Sequence, residues 1–351
     1  MSSQLHFKDK LPSRKFWLEE LQLQLDSTVV IYDRKLKGNP ILRSLNKIFS
    51  HKIPVGGGEK LKSIAELEKL SVKIMHDKNL DLNVARLTFV SIGGGSVGDA
   101  IGFLASIFKR GVRWINIPST WLSVVDSAHG GKTAINLKGL KNQWGSFYAP
   151  TDVVVIKPLL VGQPSHLAQE SLGEVAKTTL LRADRFSETL KKNTPWKAEK
   201  IWDHLSRLIE VKTEIVEKDP YETQKIRYLL NWGHTFGHVF ESQTGKPHGY
   251  CVGQGLVYEI YFSHFIGKLS KAEFMEYLDI LKTQFAIRPE KWTSGISKSK
   301  FFRLMKNDKK AKGSDKVNVV LVHDRGKFSI VPLSIESMWM AYRAFQKEYL
   351  L

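Results

Sequence analysis

Short, wholly apolar runs alternate with helically spaced ones over the first half of the chain. STVVIYD, RLTFVSI, RWINIPS and DVVVIK carry hydrophobic residues at successive positions, the pattern of strands buried on both faces in a parallel sheet. SIAELEKLSVKIMHD and DAIGFLASIFKRG, lying among them, repeat apolar residues at helical intervals. This alternation predicts a doubly wound α/β domain over residues 1–164. From Ser165 the texture changes. HLAQESLGEVAKTTLLRADRFSETLKKN, AEKIWDHLSRLIEVKTEIVEK and GLVYEIYFSHFIGKL read as helices, so residues 165–351 are expected to form a mostly α-helical domain. One late exception, KVNVVLVHDRGKFSIVPL, predicts a hairpin turning at Asp324-Arg325-Gly326.

Charge alters this picture only slightly. The 351 residues hold 53 Lys and Arg against 35 Asp and Glu, a net +18. The cations are spread singly and in pairs, without zinc-finger spacing or a long Lys/Arg block. A solvated basic surface that gathers small anionic substrates explains them better than nucleic-acid binding. No run of about 18 apolar residues is present, as a membrane span would need. The start, MSSQLHFKDK, lacks the apolar core of a signal peptide. The single cysteine, Cys251, excludes an internal disulfide framework, and a cytoplasmic protein is expected.

Three features carry chemistry. Gly93-Gly94-Gly95-Ser96-Val97-Gly98-Asp99 follows an apolar strand and opens a helix, where backbone N–H groups can cradle a pyrophosphate. Gly93, Gly95 and Gly98 satisfy G-x-G-x-x-G, but the acidic residue expected about 20 positions later is missing. A tight packing turn and a dinucleotide site both fit. Asp33, closing the first apolar strand, reads equally as a ribose acceptor and as a turn cap. His234 and His238 are four apart and share a helix face with Glu241 one turn on, while His248 follows in PHGY and Glu174 precedes in SLGEVAK. Three N or O donors with an open position is the layout of a catalytic zinc; two core histidines would produce the same spacing. Finally, Arg110, Lys132, Lys141, Lys177, Lys212 and Arg227 adjoin apolar or Gly-rich segments, where a cation is costly unless it meets an anion.

Taken together, GEKLKS, GGGSVGD, KRGVRWINIPSTWLSVVDSAHGGKTAIN, KNQWGSFYAP, GEVAK, DPYE, IRYLLNWGHTFGHVFES, HG and NDKKAKG resemble, in order, the dehydroquinate synthase family of sugar-phosphate cyclases. The resemblance implies an N-terminal NAD-binding domain, a helical C-terminal metal- and substrate-binding domain, an active site between them, and a homodimer. It makes Glu174, His234 and His248 the ligands of zinc or cobalt. It assigns Asp33, Glu59, Lys62, Gly94, Gly95, Ser96, Asp99, Ser119, Thr120, Asp126 and Lys141 to NAD. Lys132, Lys177, His238, Asp126 and Asn142 become catalytic candidates. Arg110, Lys212, Arg227, Asn231, Lys309 and Lys310 become substrate-binding candidates, with Arg110 reaching across the dimer.

The implied reaction oxidises a ring alcohol with NAD, eliminates phosphate, returns the hydride, opens the ring and closes a carbocycle by aldol addition. Arg227 and Asn231 favour a substrate with a carboxylate, 3-deoxy-D-arabino-heptulosonate 7-phosphate, which yields 3-dehydroquinate. The chain departs from the family at His129, at Tyr250, which removes an acidic neighbour of His248, and in a longer segment before Arg227. The gap from His238 to His248 is also short. The alternatives are a cyclase of 2-deoxy-scyllo-inosose or 2-epi-5-epi-valiolone type, a metal-dependent glycerol or alcohol dehydrogenase, and a noncatalytic nucleic-acid-binding protein that keeps the fold.

Overall fold

The computed structural model describes residues 3–307, 315–324 and 327–350. The chain divides into two compact units, Met1–Leu167 and Ala168–Leu351.

The first unit is built on strands β1 (Gln4–Lys8), β2 (Thr28–Asp33), β3 (Lys52–Val55), β4 (Thr88–Gly93), β5 (Arg113–Pro118), β6 (Lys132–Leu137), β7 (Leu140–Phe147) and β8 (Asp152–Ile156). Six form one sheet in the order β1-β8-β5-β4-β2-β3, every pair parallel. Helices α1 (Pro40–Asn46), α2 (Ile64–Met75), α3 (Gly95–Ile107), α4 (Trp121–Val125) and α5 (Lys157–Val161) complete it. Alternate residues of the inner strands β2, β4 and β5 feed two separate cores. Val29, Ile31 and Phe89 pack with Leu67, Ile74, Ile101 and Leu104 of α2 and α3. Val30, Val90, Ile92 and Ile115 pack with Ile41 and Leu45 of α1 and with Trp17. Burial on both faces is why β2, β4, β5 and β8 read as continuous apolar runs. β6 and β7 form a separate antiparallel hairpin.

A short helix, α6 (Ser165–Gln169), leads into α7 (Leu172–Leu181), α8 (Ser187–Lys191), α9 (Ala198–Lys218), α10 (His234–Thr244), α11 (His248–Phe265), α12 (Lys271–Phe285), α13 (Lys298–Asn307) and α14 (Ile335–Tyr349). The stretch from His166 to Asn193 is thus three helices. Strands β9 (Lys316–Asp324) and β10 (Lys327–Ser334) pair antiparallel as expected; Arg325 and Gly326 of the turn lie outside the described residues. Almost every side of α11 is buried, from Cys251 to Ser263, as for a helix enclosed by its neighbours. α7, α10, α12, α14 and β9 pack around it. Among the described residues no helix is long and apolar enough to cross a membrane.

Candidate functional site

In the first unit the strand order reverses at β2: the chain crosses from β2 to β3 on one side and returns to β4 on the other. Such a switch leaves a crevice outside the carboxyl ends of the two strands, where open α/β sheets bind ligands. Asp33 ends β2 there, and Gly93-Gly94-Gly95 ends β4 and opens α3. The acid missing downstream of the glycines therefore has a counterpart on the neighbouring, earlier strand. No side chain caps α3, which leaves its first N–H groups and positive dipole end for an anion. A Cβ on Gly95 would stand 2.9 Å from Ser127 Oγ, and one on Gly94 3.3 Å from Thr120 Cγ2. A narrow cleft opens beside Gly94, Gly95, Asp99, Ser127 and Lys132. Asp33 does cap the next turn, accepting from Lys35 N at 3.0 Å, while a Cβ on Gly57 would sit 2.9 Å from its Cγ.

A polar network joins four of the candidates. Buried Lys62 donates from Nζ to Asp99 Oδ2 at 2.6 Å and to Asn142 Oδ1 at 2.5 Å. Asn136 Nδ2 donates to Glu59 Oε2 at 2.6 Å, and Asn136 Oδ1 accepts from Asn142 N at 2.9 Å. Burial raises the Asp99 pKa against the pull of Lys62. Ser96 Oγ accepts from Gly58 N at 2.8 Å, Ser119 N donates to Gly93 O, and Thr120 caps α4, which Asp126 ends. Lys141 is exposed beside Asn142. Arg110 is exposed on a turn at φ +71° and joins neither the network nor the cleft.

In the second unit each expected metal ligand adjoins a glycine. A Cβ on Gly173, beside Glu174, would lie 2.7 Å from Gly253 N; one on Gly233, beside His234, 2.9 Å from Val252 O; one on Gly249, beside His248, 2.8 Å from the Glu170 carbonyl carbon. Missing side chains thus let α7, α10 and the segment before α7 touch α11 backbone to backbone, and this closeness gathers the ligands. Oε1 of Glu174 lies 3.3 Å from His234 Nε2 and 3.4 Å from His248 Nε2. Those are the edge lengths, about 3.4 Å, of a tetrahedron with bonds of about 2.1 Å. Both Glu174 oxygens are buried without a regular hydrogen bond, with Lys177 Nζ against Oε2. The donor set fits a divalent cation. His238 neighbours it, its ring centroid 5.4 Å from that of His234, but is not one of the three converging donors.

Electrostatics agree with that fit. Burial, with help from the Lys177 charge, drives His234 down to about 3, so its ring is neutral. Burial would lower His248 too, but the neighbouring carboxylates of Glu174 and Glu241 outweigh it and push the ring up to about 10. Burial would raise Glu174, yet the Lys177 charge beside it holds it well below the ordinary carboxylate range. The pocket therefore draws positive charge to its donors, which a metal ion supplies. Glu241 Oε2 lies 2.9 Å from His248 Nδ1, orienting the ring so that Nε2 faces the other donors. Tyr250 leaves one position near His248 without an acid, but Glu241 on α10 supplies an acidic partner.

The remaining cations are withdrawn from water. Lys177, Lys212 and Arg227 are 1%, 7% and 4% exposed. Lys177 Nζ donates to Leu230 O at 2.8 Å, beside the 3₁₀ turn Ile226–Asn231 that carries Arg227 and Asn231. Lys212 is one of the buried positions of α9, which packs on α7 and on that turn. Glu222, unassigned from sequence although it lies in the DPYE stretch, has Oε1 3.5 Å from Arg227 Nε. Lys309 and Lys310 lie outside the described residues.

Residues 52–170 match the family described as 3-dehydroquinate synthase N-terminal, and residues 171–311 that described as 3-dehydroquinate synthase C-terminal. A 3-dehydroquinate synthase of Bacillus cereus (strain AH820) is 34% identical over 310 residues, 86% of this chain and 82% of the relative. Among solved structures, 2-deoxy-scyllo-inosose synthase complexed with carbaglucose-6-phosphate, NAD+ and Co2+ superposes with a TM-score of 0.83 at 21% identity, covering 97% of this chain and 96% of that one. The 2-epi-5-epi-valiolone synthase of Streptomyces hygroscopicus subsp. jinggangensis 5008, with NAD+ and Zn2+ bound, gives 0.77 at 17% identity, covering 99% and 98%. At these identities the structures speak for the fold.

Proposed function

This chain belongs to the 3-dehydroquinate synthase family of sugar-phosphate cyclases, and from that premise we propose that it converts 3-deoxy-D-arabino-heptulosonate 7-phosphate to 3-dehydroquinate and phosphate. Residues 1–164 take the NAD-binding role and residues 165–351 the metal- and substrate-binding role, in a cytoplasmic homodimer. Glu174, His234 and His248 would hold zinc or cobalt, and Asp33, Gly94, Gly95 and the network around Lys62 would hold NAD. When bound, the two supply a reversible oxidation of a ring alcohol and Lewis-acid polarisation of its oxygen.

The observation that carries the substrate reading is the burial of Arg227 together with Lys177 and Lys212. Lys177 and Arg227 already face Glu174 and Glu222; a phosphorylated keto acid would add to this charged set a carboxylate suited to the planar Arg227 fork and a phosphate suited to the lysines. Protein bases are few in the set, so the leaving phosphate takes the ring proton itself while the cations hold it in place. His238, beside the three ligands, orients a ring hydroxyl.

The test is phosphate release from 3-deoxy-D-arabino-heptulosonate 7-phosphate, with NAD and zinc or cobalt supplied. Release with formation of 3-dehydroquinate and no net NADH is expected. Net NADH from glycerol would point to a dehydrogenase. Release only from a hexose or carboxylate-free heptulose phosphate would point to a sister cyclase.

A further inference from the structure

Glu259 sits inside α11 with no exposure to solvent, in the run GLVYEIYF whose other members are apolar or small. A carboxylate in such surroundings persists only if strong donors reach it. Its donors belong to another helix. Oε2 accepts from Gly233 N at 2.8 Å, and Oε1 from Thr235 N at 2.9 Å and Phe236 N at 3.3 Å.

These N–H groups are the opening of α10. The first N–H groups of any helix lack partners within it and are ordinarily met by the side chain of the N-cap residue. Here the N-cap is Gly233 at φ +81°, which has no side chain to offer. Glu259 takes that place from the neighbouring helix, its charge lying at the positive end of the α10 dipole. The reach is short because Gly255, one turn earlier on α11, has no Cβ to hold Gly233 away.

The residue enclosed by these bonds is His234. Its own side-chain hydrogen bond is long, Nδ1 lying 3.3 Å from Trp232 O, so the direction of its Nε2 depends on the backbone that Glu259 fixes on both sides. We propose that Glu259 is a positioning residue for the metal site, capping α10 from α11 so that His234 keeps its aim at Glu174 and His248. The inference rests on the metal-binding reading above.

Cobalt reports on it without turnover. Wild type is titrated first with Co2+ against a chelator, following visible absorbance and thermal unfolding. Glu259→Gln keeps the shape but removes the charge and turns an amide NH2 toward the helix N–H groups. Its cobalt affinity should fall about tenfold or more, with an altered absorption band. Glu259→Asp, which retains the charge one methylene back, should fall between Gln and wild type. If E259Q does not fold, the Asp variant carries the same test. Lowered melting temperature with cobalt affinity and spectrum within twofold of wild type would overturn the cap, leaving Glu259 merely structural. A wild type that takes up no cobalt would instead overturn the metal reading itself.

Discussion

Alanine at Gly255 tests whether the ligand set is gathered by helix contact. A Cβ there would be driven against the Gly233 carbonyl, 2.8 Å from its carbon and 2.7 Å from Gly237 N. Such contacts ordinarily settle near ~3.3–3.6 Å, and neither neighbour is a side chain that can rotate away. The Gly233 oxygen is nearer still, so α10 and α11 would have to part by more than roughly 1 Å, an overpacking cost at the upper end of the usual range, about 3 kcal/mol. Alanine recovers about 1 kcal/mol through helix propensity. The net loss of about 2 kcal/mol corresponds to a fall of about 4–8 °C in Tm for a unit of this size. His234 rides on α10 and His248 on α11, so one of the 3.3 and 3.4 Å donor distances to Glu174 must open, and cobalt affinity should drop about tenfold or more. Gly253→Ala is the control on the same helix. Its nearest contact is Ile287 Cδ1 at 3.1 Å, the movable end of a side chain, so stability should stay within about 1 kcal/mol. Thermal melts and cobalt titrations of the two variants decide the matter. If G255A melts and binds like G253A, helix contact does not assemble the site.

Three further outcomes follow from single contacts. Glu241→Gln should lower cobalt affinity about tenfold by freeing the His248 ring, read by chelator competition; an unchanged affinity would mean the ring is held by packing alone. Gly57→Ala, by displacing the Asp33 carboxylate, should weaken NAD several-fold in a fluorescence titration; retained affinity would leave Asp33 as a turn cap only. Arg227→Leu should weaken a carboxylate-bearing substrate by about 2–5 kcal/mol, as for a buried charge pair losing one partner. Calorimetry against a carboxylate-free sugar phosphate supplies the comparison, and equal losses would make Arg227 structural.

Burial explains which elements could be read from the sequence. β2, β4, β5 and β8 lie inside the sheet and show themselves as apolar runs, whereas β1 (QLHFK) is at an edge, with residues that are exposed or half-buried. Edge strand β3 has only four residues, alternating buried and half-buried, and one of them is proline. The β6–β7 hairpin escaped because nearly all of β7 is exposed, so packing imposes no pattern on it. The histidines advertised themselves by spacing, but spacing treats His234 and His238 alike. Only the helix contacts show which of them faces Glu174. Glu241 was visible one turn beyond His238, without its partner. Glu259 left a fainter trace, a lone acid in an apolar run, and its role needs a bond across two helices that no local pattern encodes.

The segment before Arg227, read from the sequence as longer than in relatives, is the departure that bears most on substrate choice, and in the structure it is tightly held. Asp219, almost fully buried, accepts from Thr223 N at 2.8 Å and Gln224 N at 3.0 Å through Oδ1, and from Arg227 N at 3.2 Å through Oδ2. Glu222 and Lys225 adopt positive φ, +57° and +64°, a conformation that costs free energy unless its surroundings hold it. A single carboxylate thus holds the segment in a tight loop that includes the two left-handed residues. Arg227 leaves this loop with its backbone pinned to Asp219 and Nη1 bonded to Pro220 O at 3.0 Å. The added length therefore does not set the guanidinium adrift. A lengthened segment that still delivers a buried, doubly anchored arginine gives no ground for a carboxylate-free substrate, and the choice between cyclases turns on what Arg227 binds.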